Sequence, residues 1–234
     1  MPTSQKDQKY DDLFFDIDNT LVDFRSGSEM AFKRVIEDIG IQWTDGLYDK
    51  YNVVNRRYWV AFEEEKIDNA TLRSERFEAF FEEHGYGKYD GHEINNAYLH
   101  HLITTTEPIT GIKDLLTSLK ENYRIHAITN GFKEVQRPRL DRMELTPLFD
   151  SITVSDEIGI AKPSGAYFDH AFGQNTPLPA KSRSLVIGDS LTSDIQGGNR
   201  YGVDTCWISE ELNKKSVHVP TYHLKSTLDI KQIL

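Results

Sequence analysis

The sequence has little cysteine, no long apolar run and no excess of positive charge. Among its 234 residues Cys206 is the single cysteine, so no disulfide can form within the chain. Cys206 lies in the apolar run 205–208, which predicts a buried strand residue. No apolar run approaches the roughly 20 residues of a membrane-spanning helix, and residues 1–10 are polar, unlike a signal peptide or anchor. We therefore expect a cytoplasmic protein with no membrane partner.

The charge balance narrows the choice of partners further. The chain has 37 acidic and 27 basic residues, a formal net charge of -10. This excess repels polyanions at long range, which argues against binding of nucleic acid through a basic face. A small anionic substrate stays possible, because one cation and one lysine can reverse the field locally. With 38% apolar residues the chain can bury a globular core.

The spacing of apolar residues changes along the chain. Residues 13–17 form a short apolar run that ends in carboxylates, as in a buried central strand. From about residue 26 to 104 the apolar residues repeat at helical spacing, with a capping-box pattern at Ser26 and Glu29. Four helices are predicted there. Beyond residue 106 helical stretches alternate with apolar strands, which favours a parallel sheet covered on both faces. Among them are a strand at 151–154, a helix at 165–173 and a last helix at about 226–233.

One strand precedes the helical block and several follow it, so the block is inserted into the α/β domain. We predict a Rossmann-like parallel-sheet core of residues 1–20 and 107–234, and an all-α, four-helix cap of residues 21–106. In the core, a helix within 132–145 contains Pro138, which either starts the helix late or kinks it.

The strongest motif is Asp16-Ile17-Asp18-Asn19-Thr20, at the end of the first predicted strand. Ligands of parallel α/β sheets bind at the carboxyl ends of the strands. Two carboxylates two residues apart can both project into such a site, one as a nucleophile and the other as an acid or base. On its own this pattern is equally compatible with an acidic turn.

Three further polar segments follow later predicted strands. Thr129-Asn130-Gly131 offers a hydroxyl and backbone N–H groups, which can hold a phosphate. Lys162 follows the predicted strand 151–154 and can meet the phosphate charge. Residues 188–194, GDSLTSD, contribute the carboxylates of Asp189 and Asp194. Four complementary segments in this order are far more specific than any one of them.

A cation site is also predicted at this edge. Asp16 and Asp189 at adjacent strand ends would form an oxygen-rich site, and Mg²⁺ prefers oxygen ligands in octahedral geometry.

Together, the segments DIDNT, TNG, Lys162 and GDSxxSD resemble the haloacid dehalogenase (HAD) superfamily of phosphohydrolases. A helical insertion between the first two motifs resembles its subfamily with a helical C1 cap. The segments ITNGF, followed by Arg139-Leu140, IGIAKP and GVDTCW are similar to the house-cleaning pyrimidine 5′-nucleotidase branch. Pro138 departs from the pattern of that branch, though it bears on helix geometry more than on chemistry.

The resemblance implies roles for the polar residues. Asp16 would attack phosphorus and form an aspartyl-phosphate. Asp18 would protonate the leaving alcohol and then deprotonate the hydrolytic water. Thr129 and the N–H of Asn130 would hold the phosphate, while Lys162 would neutralise its charge.

The same resemblance implies a ligand set for Mg²⁺. The carboxylates of Asp16 and Asp189 and the backbone carbonyl of Asp18 would bind the ion. Asp194 would orient Lys162 or a water on the metal.

We therefore expect a Mg²⁺-dependent phosphomonoester hydrolase, with pyrimidine nucleoside 5′-monophosphates as the first candidate substrates. A carboxylate at Asp18 favours a phosphatase over a dehalogenase, because a departing halide needs no acid. Three different functions stay open: a phosphatase for another small metabolite such as phosphoglycolate or a sugar phosphate, a phosphomutase, and a non-catalytic binding module. Trp59 and Phe24 are the aromatic candidates for facing a ligand, and the oligomeric state is left open.

Overall fold

The computed structural model of the chain describes residues 8–211 and 216–234. They divide into two compact units, one formed by the chain up to Asp23 with Glu107–Leu234, the other by Phe24–Thr106. The first unit is an α/β fold, and the second, described throughout, is helical. The predicted fold class is confirmed. Within the described ranges, no helix combines the length and apolarity needed to cross a bilayer.

The helices and strands follow the predicted order closely. In chain order they are β1 (Asp12–Phe15), β2 (Val22–Asp23), α1 (Phe24–Asp38), α2 (Leu47–Glu63), α3 (Asn69–Glu83), α4 (Gly91–Thr105), β3 (Glu107–Pro108), α5 (Ile112–Leu119), β4 (Arg124–Thr129), α6 (Lys133–Arg142), β5 (Ser151–Val154), α7 (Ser155–Ile158), α8 (Gly165–Gly173), β6 (Ser184–Gly188), α9 (Gln196–Tyr201), β7 (Asp204–Ile208) and β8 (Tyr222–Leu224). A π-helical turn, Leu191–Ile195, leads into α9.

The sheet of the α/β unit has the strand order β5-β4-β1-β6-β7-β8. Every neighbouring pair in it is parallel. Strands β4 and β5 lie on one side of β1, and the later strands β6, β7 and β8 lie on the other. The strand order therefore reverses direction at β1. In sheets of this kind the ligand crevice lies at that reversal, beyond the carboxyl ends of the strands.

Strand β1 explains why the sheet is covered on both faces. Its four residues are all buried, and successive side chains of a strand point to opposite faces. Leu13 and Phe15 belong to one apolar cluster. Phe14 belongs to another, where its ring stacks on that of Phe172 at 4.3 Å. In a strand that is buried on both faces, polar and apolar residues do not alternate. The sequence of β1 after Asp12 is therefore a continuous apolar run.

The helical unit has an aromatic core. Phe32 of α1 stacks on Tyr51 of α2 at 4.1 Å, and Tyr51 lies 5.4 Å from Phe77 of α3 between ring centroids. The helical spacing of the aromatics therefore reflects packing. Trp59 is half-buried, edge-on to Phe62 at 6.0 Å, and its contact with a ligand stays a prediction.

Three details differ from the sequence-based prediction. Ser26 is not a helix cap, because α1 begins at Phe24, directly after β2. The helix containing Pro138 begins at Lys133, so a late start is excluded. It continues through Pro138, which is exposed. The predicted last helix is present as a 3-10 helix, Thr227–Gln232, and the preceding strand β8 was not predicted.

Cys206 provides the first testable prediction. It lies in β7 with no exposed surface, as predicted, and burial raises its pKa to about 12. Because the thiolate is the reactive form, we expect very slow alkylation by iodoacetamide in the native protein and rapid alkylation in denaturant. Mass spectrometry of the intact chain over time measures both rates. Equal rates with and without denaturant would contradict the placement of Cys206.

Candidate active site

Three neighbouring strands bring polar residues to one edge of the sheet. Asp16 follows β1 directly, Thr129 is the last residue of β4, and Asp189 follows β6. Because β4, β1 and β6 are adjacent and parallel, these residues lie side by side with Asp16 in the middle. The seven polar site residues predicted from the sequence all belong to the α/β unit, whereas the aromatic candidates Phe24 and Trp59 belong to the helical unit.

Lys162 is the buried centre of this group. Its Nζ donates to Asp16 Oδ1 at 2.6 Å, to Asp194 Oδ1 at 2.7 Å and to the carbonyl oxygen of Ile128 at 3.0 Å. The exposed fraction of the Lys162 side chain is 1%. Three acceptors satisfy the three donors of its ammonium group, and its charge faces two carboxylates.

Asn130 fixes the backbone from which Lys162 projects. Its side-chain amide donates to the carbonyl oxygen of Lys162 at 2.9 Å and accepts from the N–H of Lys162 at 2.8 Å. This pair of bonds joins the loop after β4 to the segment carrying the lysine. The predicted role of Asn130 concerned its N–H. The side chain has a second task that the sequence did not indicate.

Asp194 lies in the π-helical turn, which positions its carboxylate at the site. Oδ2 of Asp194 accepts from the N–H of Ser190 at 3.1 Å, which closes the loop after β6. Gly188 makes room for it, because a Cβ at that position would overlap the Asp194 carboxylate. The glycine of the GDS segment is therefore required by close approach, and π-turns of this kind are common at functional sites.

Asp189 is held from two sides. Asn19 Nδ2 donates to its Oδ2 at 3.4 Å, and Trp207 Nε1 donates to its backbone carbonyl at 2.8 Å. Asn19 has φ 59°, in the left-handed region where asparagine is better tolerated than most side chains. The sequence alone assigned no role to Asn19 or Trp207.

The carboxylates of Asp16, Asp189 and Asp194 form a group that fits a cation. One oxygen from each lies within 4.8 Å of the others. Burial raises the pKa of Asp16 well above its ordinary value, while Lys162 lowers it and the other carboxylates raise it. Burial, then the charge of Asp194, raises the pKa of Asp189 to about 7. Three close carboxylates share the single ammonium group of Lys162, so a bound cation would reduce the repulsion between them, and their oxygens are the hard donors that Mg²⁺ prefers.

The two carboxylates of the DIDNT segment have different environments. Asp18 is a quarter exposed, whereas Asp16 is buried. Oδ2 of Asp18 accepts from Gln136 Nε2 at 2.8 Å, and Oδ1 accepts from Nη2 of Arg139. Neither α6 residue was predicted as functional, although Arg139 stood in a segment that supported the family resemblance.

Thr129 connects this pair to the loop that follows β4. Its hydroxyl oxygen accepts from the N–H of Gly131 at 3.0 Å and from Gln136 Nε2 at 3.0 Å. Both lone pairs are used, so its single proton is left to donate. A phosphate oxygen is an acceptor of the required kind.

Comparison with known proteins identifies the class. The sequence matches the family described as haloacid dehalogenase-like hydrolase over residues 13–208. The chain belongs to this family.

Three relatives match nearly the whole chain. The pyrimidine 5′-nucleotidase YjjG of Escherichia coli is 33% identical, covering 97% of this chain and 98% of its own. The pyrimidine 5′-nucleotidase PynA of Streptococcus pneumoniae is 34% identical, covering 96% and 95%. The HAD hydrolase YfnB of Bacillus subtilis has a crystal structure bound to magnesium that superposes with a TM-score of 0.89 at 33% identity, covering 97% and 99%.

These relatives confirm the predicted resemblance to the pyrimidine 5′-nucleotidase branch. They support a HAD-type phosphatase that acts on a small phosphorylated substrate.

Proposed function

We propose that the protein is a Mg²⁺-dependent pyrimidine nucleoside 5′-monophosphate phosphatase that acts through an aspartyl-phosphate on Asp16. The observation that carries the proposal is the position of Asp16. It lies at the strand end where the sheet order reverses, 2.6 Å from Lys162 and beside Asp189 and the Thr129 loop. This arrangement supports a nucleophile that works next to neutralising charge.

In the first half of the reaction an oxygen of Asp16 forms a bond to phosphorus and the ester P–O bond breaks. The leaving alkoxide takes its proton from Asp18. Lys162 neutralises phosphate charge, and the Thr129 hydroxyl with the N–H of Asn130 holds the phosphate oxygens. Phosphoryl transfer needs mainly positioning and charge stabilisation, and these residues supply both.

In the second half, Asp18 takes a proton from water as the water oxygen attacks phosphorus. The P–O bond to Asp16 then breaks, which returns its carboxylate and releases inorganic phosphate. The same carboxyl group thus gives a proton in one half and receives one in the other.

For Mg²⁺ we propose the carboxylates of Asp16 and Asp189 and the backbone carbonyl of Asp18 as ligands, with Asp194 supporting. When bound, the ion supplies positive charge that stabilises the transferring phosphoryl group. Four carboxylates lie at this edge of the described α/β unit, at residues 16, 18, 189 and 194, against the two cations Lys162 and Arg139. Because the carboxylates outnumber these cations, a bound divalent cation would reduce the repulsion between them.

Replacement of Asp18 tests its acid–base role. We expect Asp18→Asn to lower kcat for UMP by about 10²–10⁴-fold, because asparagine cannot exchange the proton. Phosphate release at saturating UMP measures the loss. The matched control is Asp11→Asn, which removes a carboxylate paired with Arg183 instead. Wild-type turnover by Asp18→Asn would remove Asp18 from the mechanism.

The substrate is the part of the proposal that comes from the nucleotidase relatives. Phosphate release with Mg²⁺ should be measured over UMP, dUMP, dTMP, AMP, phosphoglycolate and several sugar phosphates. A strong preference for the pyrimidine nucleotides is expected. Preference for a non-nucleotide would keep the mechanism and discard the substrate.

Product analysis distinguishes a hydrolase from a phosphomutase and from a binding module. A mutase would return an isomerised phosphate ester, whereas a hydrolase releases phosphate. A binding module would show equal, negligible turnover for the wild type and Asp16→Asn over the whole panel. The cytoplasmic location expected from the sequence stays a prediction.

A further inference from the structure

We propose that Gln136 and Arg139 are positioning residues that hold the carboxyl group of Asp18 in place for proton transfer at the leaving oxygen. The inference rests on the proposed function, in which Asp18 is the acid and base. It assigns a task to two α6 side chains.

The side chains of Asp18, Gln136 and Arg139 form a closed ring of hydrogen bonds. Gln136 Nε2 donates to Asp18 Oδ2 at 2.8 Å, Arg139 Nη2 donates to Asp18 Oδ1, and Arg139 Nη2 also donates to Gln136 Oε1 at 2.7 Å. Each Asp18 oxygen therefore has its own donor, and the donors are tied to each other. Rotation about the Asp18 side-chain bonds would break at least one of these contacts.

Burial makes the arrangement unusual. Arg139 has no exposed surface and Gln136 is 2% exposed. A buried guanidinium is costly to desolvate unless it is well paired, and this one donates to a carboxylate at the edge of the active site. Val135 and Leu140 on the same helix are buried as ordinary apolar core. Two polar residues on this face, three positions apart, instead reach the DIDNT segment.

Gln136 also joins the acid to the phosphate-binding loop. The Nε2 group that donates to Asp18 donates to the Thr129 hydroxyl at 3.0 Å. Gly131 leaves space for this amide, since a Cβ at that position would overlap Gln136 Nε2. The link places the proton donor and a phosphate-binding group in a fixed relation, which proton transfer to a leaving oxygen requires.

The leaving group distinguishes positioning of an acid from general structural support. Departure of the uridine 5′-alkoxide from UMP needs a proton, whereas 4-nitrophenolate departs from 4-nitrophenyl phosphate without one. kcat/KM reports the steps up to release of the first product. Misplacing Asp18 should therefore reduce kcat/KM for UMP and leave kcat/KM for 4-nitrophenyl phosphate nearly unchanged.

The test compares Arg139→Met and Gln136→Met with the wild type on both substrates. We expect kcat/KM for UMP to fall by about 10–100-fold, the scale of a small misplacement of a reacting group. For Arg139→Met the value for 4-nitrophenyl phosphate should change less than about threefold. Gln136→Met also removes a donor to the Thr129 hydroxyl, so both of its values should fall, and the value for UMP should fall further. Arg139→Lys should recover part of the loss, since it restores a charge without the planar fork.

Arg137 offers a matched control on the same helix. It lies two residues from Arg139 and pairs with Glu157 Oε2 at 2.7 Å, away from Asp18. Arg137→Met should leave both kcat/KM values unchanged.

A double variant gives a second readout. In the Asp18→Asn background, Arg139→Met should cause no further loss of kcat/KM for UMP, because the residue acts through Asp18. Equal losses on the two substrates, or full additivity with Asp18→Asn, would overturn the inference. If Arg139→Met does not fold, Gln136→Met provides the test, through its loss of kcat/KM for UMP relative to its loss for 4-nitrophenyl phosphate. A wild type that hydrolyses neither substrate would overturn the proposed function and this inference with it.

Discussion

Replacing Asp16 with asparagine should abolish phosphate release, with a loss of kcat of about 10⁴-fold or more, the scale seen when other enzymes lose their nucleophile. The amide lacks the negative oxygen that attacks phosphorus. It still offers an oxygen acceptor to Lys162, whose Nζ lies 2.6 Å from Asp16 Oδ1. The loss should therefore be chemical, not structural.

The melting temperature provides the control. Burial raises the pKa of Asp16 above its ordinary value. The folded state then binds a proton more readily than the unfolded state does. The ionised carboxylate therefore lowers the free energy of unfolding once the pH exceeds the ordinary pKa of aspartate. Lys162 keeps Asp194 as a partner at 2.7 Å, so Asp16→Asn leaves no unpaired buried charge and should leave Tm at or above that of the wild type without metal. Substantial phosphate release by a well-folded Asp16→Asn protein would contradict the nucleophile assignment.

Lys162→Met should have the largest effect on stability. Lys162 pairs with two buried carboxylates, at 2.6 Å for Asp16 and 2.7 Å for Asp194. Removing one partner of a buried ion pair leaves uncompensated charge and costs about 3–5 kcal/mol. For a chain of this size that corresponds to a fall in Tm on the order of 10 °C. Phosphate release should also be lost, because the phosphate charge has no neighbouring ammonium group.

Lys113→Met is the matched control. Lys113 also pairs with a carboxylate, Glu144, but both side chains are largely exposed. Exposed pairs contribute little to stability, so Tm should hardly change. Thermal unfolding of the three proteins measures the difference. Similar Tm values for Lys162→Met and the wild type would mean that the buried pairs do not hold this site together.

Much of the fold could be predicted because each element has a local signature. The strand β5 and the helix α8 have the bounds that the sequence predicted, and Asp16 and Asp189 converge because parallel strands share a carboxyl edge. Lys162 is different. The short helix α7 separates it from β5, so its approach to Asp16 rested on the family resemblance.

The contacts from α6 could not be predicted. Gln136 and Arg139 are three residues apart, which indicates a shared helix face. The partner of that face depends on the course of loop 130–132 and the direction of the helix, and both are tertiary properties. Strand β8 was missed for a simpler reason. Its three residues, Tyr222–Leu224, include a histidine and form no apolar run.

The hydrogen bonds of Asn19 and Trp207 to Asp189 were also missed. Trp207 belongs to an apolar strand, β7, where an indole is expected to pack. Its N–H donates to the carbonyl oxygen of Asp189 at 2.8 Å. A packed strand residue thus also positions a loop of the site, and hydrophobic periodicity gives no sign of that second role.

On the proposed function, the edge of the sheet around Asp16 hydrolyses a phosphomonoester with the help of Mg²⁺. The most direct test follows phosphate release from UMP by the wild type in Mg²⁺, after addition of EDTA, and after Mg²⁺ is restored in excess. We predict release in Mg²⁺, its loss in EDTA and its recovery on restoration. An unchanged rate in EDTA, or no release from any phosphomonoester of the panel under all three conditions, would contradict the account.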